Sequence, residues 1–380
     1  MKTAALKEVA PARAARLSFS PKDVVWQLNL DQVESQSGRI LSKVTGLASA
    51  AGSSTQAFDT GNVLYSKFRP YLNKVVCPDS PGIATTELVP LRPDPKKLDR
   101  QYLTFYLRSP EFVTWVSNEV AGAKMPRVAM KVFWDHEIPL PPLAEQKRIA
   151  AILDAADALR AKRREALAQL DALLQSTFLT LFGDPVTNPM GWQRKKFSQI
   201  GSLDRGVSKH RPRNAPELLG GTYPLVQTGE VANCDTFIRD YKNTYSEVGL
   251  KQSKLWPAGT LCITIAANIA KTGILAFEAC FPDSVVGFRA VDPATVYFAK
   301  TWLSFLQKML EETAPESAQK NINVEILRNL EVPLPPLPLQ QKFAAIVESI
   351  ERQKAAQRAH LAELDALFAA LQHRAFRGEL

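Results

Sequence analysis

Cysteine is scarce in this 380-residue chain: Cys77, Cys234, Cys262 and Cys280 stand far apart and form no CxxC pair. Scattered thiols support neither a disulfide framework nor a zinc site, and they fit a reducing compartment. Histidine is equally rare, with four isolated residues. No apolar run approaches the roughly 18–20 residues that span a bilayer. The opening stretch MKTAALKEVAPARAARLSF carries charges but no continuous apolar core, so no signal peptide is expected. Together these absences predict a cytoplasmic protein with no membrane partner.

Catalytic signatures are missing too. There is no GxGxxG, and GSLDRGVSK (201–209) has Val207 where a phosphate-binding loop needs its lysine. Asn188-Pro189-Met190 lacks the second proline and the aromatic of the tetrapeptide used by amino-methyltransferases. Glu145-Gln146-Lys147 has an acid–lysine spacing suited to a nuclease, but it falls at a helix start and its repeat-mate has Leu339 instead of Glu145. No catalytic residue, metal or cofactor is expected.

What the chain does have is positive charge and a long-period repeat. Lys and Arg outnumber Asp and Glu by 47 to 38, giving +9, which is compatible with a polyanionic partner. IPLPPL (138–143) returns as VPLPPL (332–337), an offset of 194 residues (332 − 138). Without a gap, QKRIAAI (146–152) then lies over QQKFAAI (340–346), and LDAL (170–173) over LDAL (364–367).

Each repeated stretch reads as one long helix. The prolines end a strand and suit a helix start, where a missing N–H costs nothing. Glu145 sits in the first turn, facing the positive end of the helix dipole. Apolar residues recur at three- and four-residue steps, and we expect Ile149, Ile152, Leu153, Leu159, Leu167, Leu170 and Leu173 to pack against Phe343, Ile346, Ile350, Leu361, Leu364 and Leu367. Arg163, Arg164, Lys354 and Arg358 are expected on the wet face, as on a coiled-coil flank, or on a surface for partner subunits. Two such helices in one chain can bury each other's seams, which predicts a helix pair between two globular heads.

The segments before the helices are related more loosely. FDTGNVLYSKFRPYLNKVV (58–76) and LWPAGTLCITIAANIAKTGIL (255–275) both alternate apolar residues after a turn, and both lead to a β-rich stretch and an aromatic helical one. Mixed strand and helix make each head α+β. The heads share this pattern but differ in most polar residues, as expected for two readers of different sequences. Loops that mix Arg or Lys with amides can position phosphates and read base edges. The candidate DNA contacts are Lys67, Arg69, Asn73, Lys74, Lys124 and Arg127 in the first head. In the second they are Lys209, His210, Arg211, Arg213, Asn268, Lys271, Gln319, Lys320 and Asn321. Tyr71, Tyr102 and Trp302 fall within apolar periodicity and are expected in the core.

The junction PLPPLAEQKRIAAILDAADAL, its helix ending LFGDP and the second copy after VPLPPL resemble the DNA-specificity (S) subunits of type I restriction–modification systems. GNVLYSKFRPYLNKV and TTELVPL extend the resemblance in the first head, and KHRPRN…GGTYPLVQTGEV with LWPAGTLCITIAANIAKTGIL in the second. The first head has no evident counterpart of KHRPRN…QTGEV. The resemblance implies an α+β fold with target recognition domains at 1–142 and 183–336, each a mixed β-sheet with short helices. It implies spacer helices at 143–182 and 337–380, paired as an antiparallel coiled coil with pseudo-two-fold symmetry. Each head would read half of a bipartite, asymmetric site in double-stranded DNA, with the helix pair setting the unread spacer. The helices would dock two methyltransferase (M) subunits, which use S-adenosylmethionine on adenine N6, and restriction (R) subunits would join the complex. The alternative is a duplicated scaffold that binds protein partners and no DNA.

Overall fold

The computed structural model describes residues 2–122, 126–266, 270–313 and 322–380, without the side chains of 121 and 308–313. The chain divides into two compact units, Met1–Arg164 with Ala359–Leu380, and Glu165–Arg358. Each unit holds one head, a portion of the first long helix and a portion of the second.

The first long helix runs Leu143–Phe182 and the second Leu337–Arg377. At about 1.5 Å per residue, each is about 60 Å long. Both stop at a glycine with positive φ, Gly183 (77°) and Gly378 (78°), a conformation that costs other residues energy. Within each unit the two helical portions run antiparallel. In the first unit Arg148 Nη2 donates to the Leu380 carbonyl at 2.7 Å, while Arg160 Nε meets Asp365 at 2.6 Å. In the second unit Lys354 meets Asp171 at 2.6 Å, and the rings of Phe178 and Phe343 are 5.6 Å apart.

The first head is a mixed α+β body. One sheet orders its strands Thr45–Leu47, Val24–Leu28, Gly82–Thr85, Thr55–Phe58, and a second orders Val75–Val76, Val63–Ser66, Leu88–Leu91. Trp26–Leu28 runs parallel to Gly82–Ala84, and the other neighbours are antiparallel. The core gathers Tyr102, Phe112 and Phe133 from the head, Ile149 and Leu153 from the first long helix, and Phe368 from the second.

In the second head a five-stranded sheet orders Ser202–Arg205, Val285–Arg289, Leu261–Thr264, Thr272–Leu275, Phe237–Ile238. A four-stranded sheet orders Asn243–Tyr245, Leu219–Leu225, Ala279–Cys280, Leu255–Trp256. Phe288, Phe298 and Trp302 share one core with Phe178, Phe182 and Phe343 of the helices, and Phe298 meets the Phe178 and Phe182 rings. The opposite ends of each long helix therefore bury different stripes, one in each head's core.

The duplication is visible in detail. A two-stranded ribbon precedes each long helix: Thr3–Ala5 with Glu137–Pro139, and Arg194–Lys196 with Glu331–Pro333. The Leu6 N–H reaches the His136 carbonyl at 3.0 Å, and the Phe197 N–H reaches the Leu330 carbonyl at 2.9 Å. Each head also repeats one hairpin, Val63–Ser66 with Val75–Val76 and Leu261–Thr264 with Thr272–Leu275. Both hairpin turns end on a left-handed residue, Asn73 (φ 51°) and Ala270 (φ 57°).

The seam differs from the expected apolar stripe. Ile149, Leu153, Phe343 and Ile350 are buried, and Ile152, Leu167, Leu170, Ile346, Leu361 and Leu364 are half-buried. Leu159, Leu173 and Leu367 are instead 49% exposed. Within each unit, charged side chains also pair across the two helical portions.

Candidate nucleic-acid interface and helix junctions

Each long helix is pinned at its start by a glutamine. Gln146, fully buried, donates to the Lys97 and Pro141 carbonyls at 2.9 and 2.8 Å and accepts from the Asp99 N–H at 2.8 Å. Its repeat-mate Gln340 donates to the Pro335 carbonyl at 2.8 Å and accepts from the Thr295 hydroxyl at 2.8 Å. A buried amide with its valences filled fixes the angle at which the helix leaves its head. It also places Asp99, whose carboxylate caps the helix Arg100–Leu107 through the N–H groups of Gln101 and Tyr102.

Further along the helices lies a repeated ion network. Arg160 bonds Asp157 one turn earlier and Asp365 on the facing helix, both at 2.6 Å, and lies 4.3 Å from the Phe368 ring centroid. Its repeat-mate Lys354 contacts Glu351 (3.4 Å) one turn earlier and Asp171 (2.6 Å) on the facing helix. Arg160 and Lys354, Asp157 and Glu351, and Asp365 and Asp171 are related by the same 194-residue offset. Lys354, expected on the wet face, has a side chain only 2% exposed, and Glu351 is 5% exposed. Arg239 and Arg358 bring further cations to Glu351, and Arg358 also pairs with Asp235. Arg164, a second residue of the expected wet face, reaches Asp365 at 3.2 Å. Buried charges must be paired to be tolerated; here Lys354 is paired across the helices with Asp171, and Glu351 with cations of its own helix and of the head. The charges looked solvated in sequence because the partners on the facing helix lie 183 and 205 residues away. The usable signal was that an acid three residues before a base recurs at the repeat offset, together with the acid of LDAL.

The DNA-contact candidates of the first head fall around the hairpin turn. Arg69 is exposed, at φ 49°, with its N–H on the Pro126 carbonyl at 2.9 Å and its guanidinium 5.1 Å from the Phe68 ring centroid. Arg127 lies 5.8 Å from the same centroid and pairs with Glu87 at 3.2 Å. Lys67 is half-buried, and its carbonyl accepts the Val128 N–H at 2.9 Å. Asn73 and Lys74 spend their side chains internally. Asn73 Nδ2 donates to the Arg108 carbonyl at 3.2 Å, and Lys74 Nζ donates to the Leu30 carbonyl at 2.5 Å. Burial pushes the Lys74 ammonium below the usual lysine range. Lys124 lies outside the described residues. Tyr71, expected in the core, is 47% exposed, because it sits on the turn between the two strands; Tyr102 and Trp302 are fully buried.

In the second head Lys209, His210, Arg211 and Arg213 share one loop. Gln252 holds the His210 N–H at 3.0 Å, and Arg211 Nη1 donates to the Ser208 carbonyl at 2.6 Å. Arg211 and Arg213 both pair with Asp283, two cations on one carboxylate. Lys209 is exposed. Lys271 stands at the hairpin exit, with its N–H on Thr264 Oγ1 at 3.1 Å. Asn268, Gln319, Lys320 and Asn321 lie outside the described residues.

With duplicated junctions, duplicated helix charges and unlike loops in place, the comparison with known proteins is informative. The family model described as "Type I restriction modification DNA specificity domain" matches residues 48–169 and 189–366, one match for each copy of the repeat. The chain belongs to that family. The EcoDI specificity subunit of Escherichia coli is 29% identical over 174 residues, covering 44% of this chain and 38% of that one. The MjaVIII specificity subunit of Methanocaldococcus jannaschii is 24% identical over 295 residues, covering 71% and 68%. The chain thus spans well under half of the first relative's length. Among solved structures, the type I system S subunit from M. genitalium gives a TM-score of 0.58 at 13% identity, covering 99% of this chain and 96% of that one. A chain from a type I R-M system gives 0.55 at 21% identity, covering 100% and 98%. These two share the fold. No described helix is long and apolar enough to cross a membrane.

Proposed function

We propose that this chain is the DNA sequence-recognition subunit of a cytoplasmic type I restriction–modification complex. The observation that carries this reading is the contrast between repeated and unrepeated parts. The junction glutamines and the helix ion network recur at one offset, while the polar loops of the two heads differ. A repeated frame with unlike loops suits a protein that holds two different readers at a set spacing. The heads, residues 1–142 and 183–336, would each read half of a bipartite, asymmetric site in double-stranded DNA. The helices, residues 143–182 and 337–380, would set the spacer length. DNA rises about 3.4 Å per base pair, so a rod of fixed length selects register to about one pair.

The subunit would carry no catalytic residue and no cofactor. Methyltransferase subunits, two per complex, would dock on the helices and modify adenine at N6, and restriction subunits would join through the same core. The target adenine must leave the base stack to be modified, so the heads would hold DNA that tolerates that distortion. The test is a salt titration of binding to duplex DNA by the chain with its methyltransferase subunit. Site-specific affinity with a steep salt dependence is expected. Absence of DNA affinity would return the scaffold reading.

A further inference from the structure

The hairpin turn of the first head has features that core packing does not use. Its strands occupy buried positions, and the turn leaves and rejoins them through two non-glycine residues in the left-handed region, Arg69 (φ 49°, ψ 65°) and Asn73 (φ 51°, ψ 51°). Left-handed backbone at a non-glycine residue is strained and persists only where surrounding structure holds it. Here the holding groups are identifiable. A second turn, containing Gln36 at φ 66° and Gly38 at φ 66°, backs the hairpin. The Gln36 N–H donates to the Leu72 carbonyl at 2.9 Å, and Gln36 Nε2 donates to the Tyr71 carbonyl at 2.9 Å. A Cβ on Gly38 would stand 2.0 Å from the Val75 carbonyl oxygen, so only glycine lets this turn lie against the strand that leaves the hairpin turn. From the other side, the N–H of Arg69 is held by the Pro126 carbonyl.

This bracing presents, at the tip, side chains that are not needed to hold it. Arg69 is exposed and has no carboxylate partner among the described residues; Tyr71 is 47% exposed. Phe68 carries both the Arg69 and the Arg127 guanidinium near its ring. The second head's hairpin also rejoins its return strand through a left-handed residue, Ala270 (φ 57°), but its connecting sequence IAANIAK (265–271) has no aromatic and no arginine. The guanidinium and the aromatic rings of this turn are therefore particular to the first head. Guanidinium beside exposed aromatic on a rigid turn matches the groups that neutralise phosphates and meet base edges.

We propose that the turn Phe68–Tyr71 is the DNA-contacting tip of the first head, with Arg69 and Tyr71 touching DNA and Arg127 positioning it through Phe68 and the phosphate backbone. Asn73 and Lys74, committed to internal carbonyls, take no part. This rests on the reading of the chain as a DNA-recognition subunit.

The test uses the full chain in complex with its methyltransferase subunit, binding a duplex that contains the site found for the wild type. Arg69→Gly relieves backbone strain, Tyr71→Ala removes the ring, and Arg69→Lys keeps the charge. Arg69→Gly and Tyr71→Ala are each expected to weaken specific binding by about tenfold or more. Arg69→Gly should do so with an unchanged or raised Tm, a combination a purely structural role would not give. Arg69→Lys should keep the phosphate contribution and lose part of the site preference. Wild-type affinity and site choice in both Arg69→Gly and Tyr71→Ala would overturn this inference while leaving the functional reading intact. A wild-type complex that binds no duplex at all would overturn both.

Discussion

At the residue scale, the charges between the helices make the sharpest claims. Lys354 is enclosed and touches Glu351, Asp171 and Asp235. Lys354→Met keeps the stem but removes one of the three cations around buried Glu351, leaving Arg239 and Arg358, and should cost about 2 kcal/mol. Chemical denaturation should show a loss of that order, and a change below about 0.5 kcal/mol would mean the network contributes little. His136 makes a second claim. Its ring lies 3.8 Å from that of Trp115, and its Nε2 is 2.8 Å from the Tyr106 hydroxyl. Burial lowers its pKa from 6.5 to about 4. Between those values the unfolded chain binds the proton and the folded chain does not. The stability from neutral His136 is therefore complete above about pH 6.5 and is lost as the pH falls toward 4. His136→Gln should flatten that part of the stability–pH curve. An unchanged slope would show that other groups dominate it.

At the element scale, the antiparallel pairing within each unit rests on matching charges as much as on apolar contact. If Arg160 and Asp365 set the register, Arg160→Asp and Asp365→Arg should each destabilise the fold, and the double exchange should recover part of the loss. A double-mutant cycle with a coupling of about 1 kcal/mol or more is expected, and strict additivity would contradict the pairing. The junction glutamines predict a matched pair of effects. Gln146→Ala leaves two part-buried carbonyls and an N–H without their partner and should cost about 1 kcal/mol, and Gln340→Ala a similar amount. The long helices were legible in sequence because proline and periodicity agree at both starts, with Glu145 adding a dipole signal at the first. The charge network was not legible, because Lys354 and Glu351 are buried by residues distant in the chain. Nor was the exposure of Leu159, Leu173 and Leu367, since periodicity marks a helix's apolar side but not what covers it. In the heads, alternation exposed the hairpin strands. Tyr71 continues the apolar alternation of the strand, and only Pro70 beside it marks the turn that exposes it.

At the scale of the molecule, the family, the duplication and the α+β class could be read from the repeated junction, while the contacts of the heads could not. Base readout depends on where a few loop side chains point, and several candidates proved to be held by internal carbonyls or carboxylates. Two predictions belong here. Deleting one heptad from 149–181 should change the spacer and leave both half-sites alone, and exchanging residues 1–137 for another head should change one half-site only. Both are read out in the same way, by mapping N6-methyladenine across the genome of cells carrying this chain with its methyltransferase subunit. For the unaltered chain that measurement should return one asymmetric motif of two short specified halves around a fixed unspecified spacer. A continuous motif, or none above background in the presence of an active methyltransferase subunit, would contradict the account.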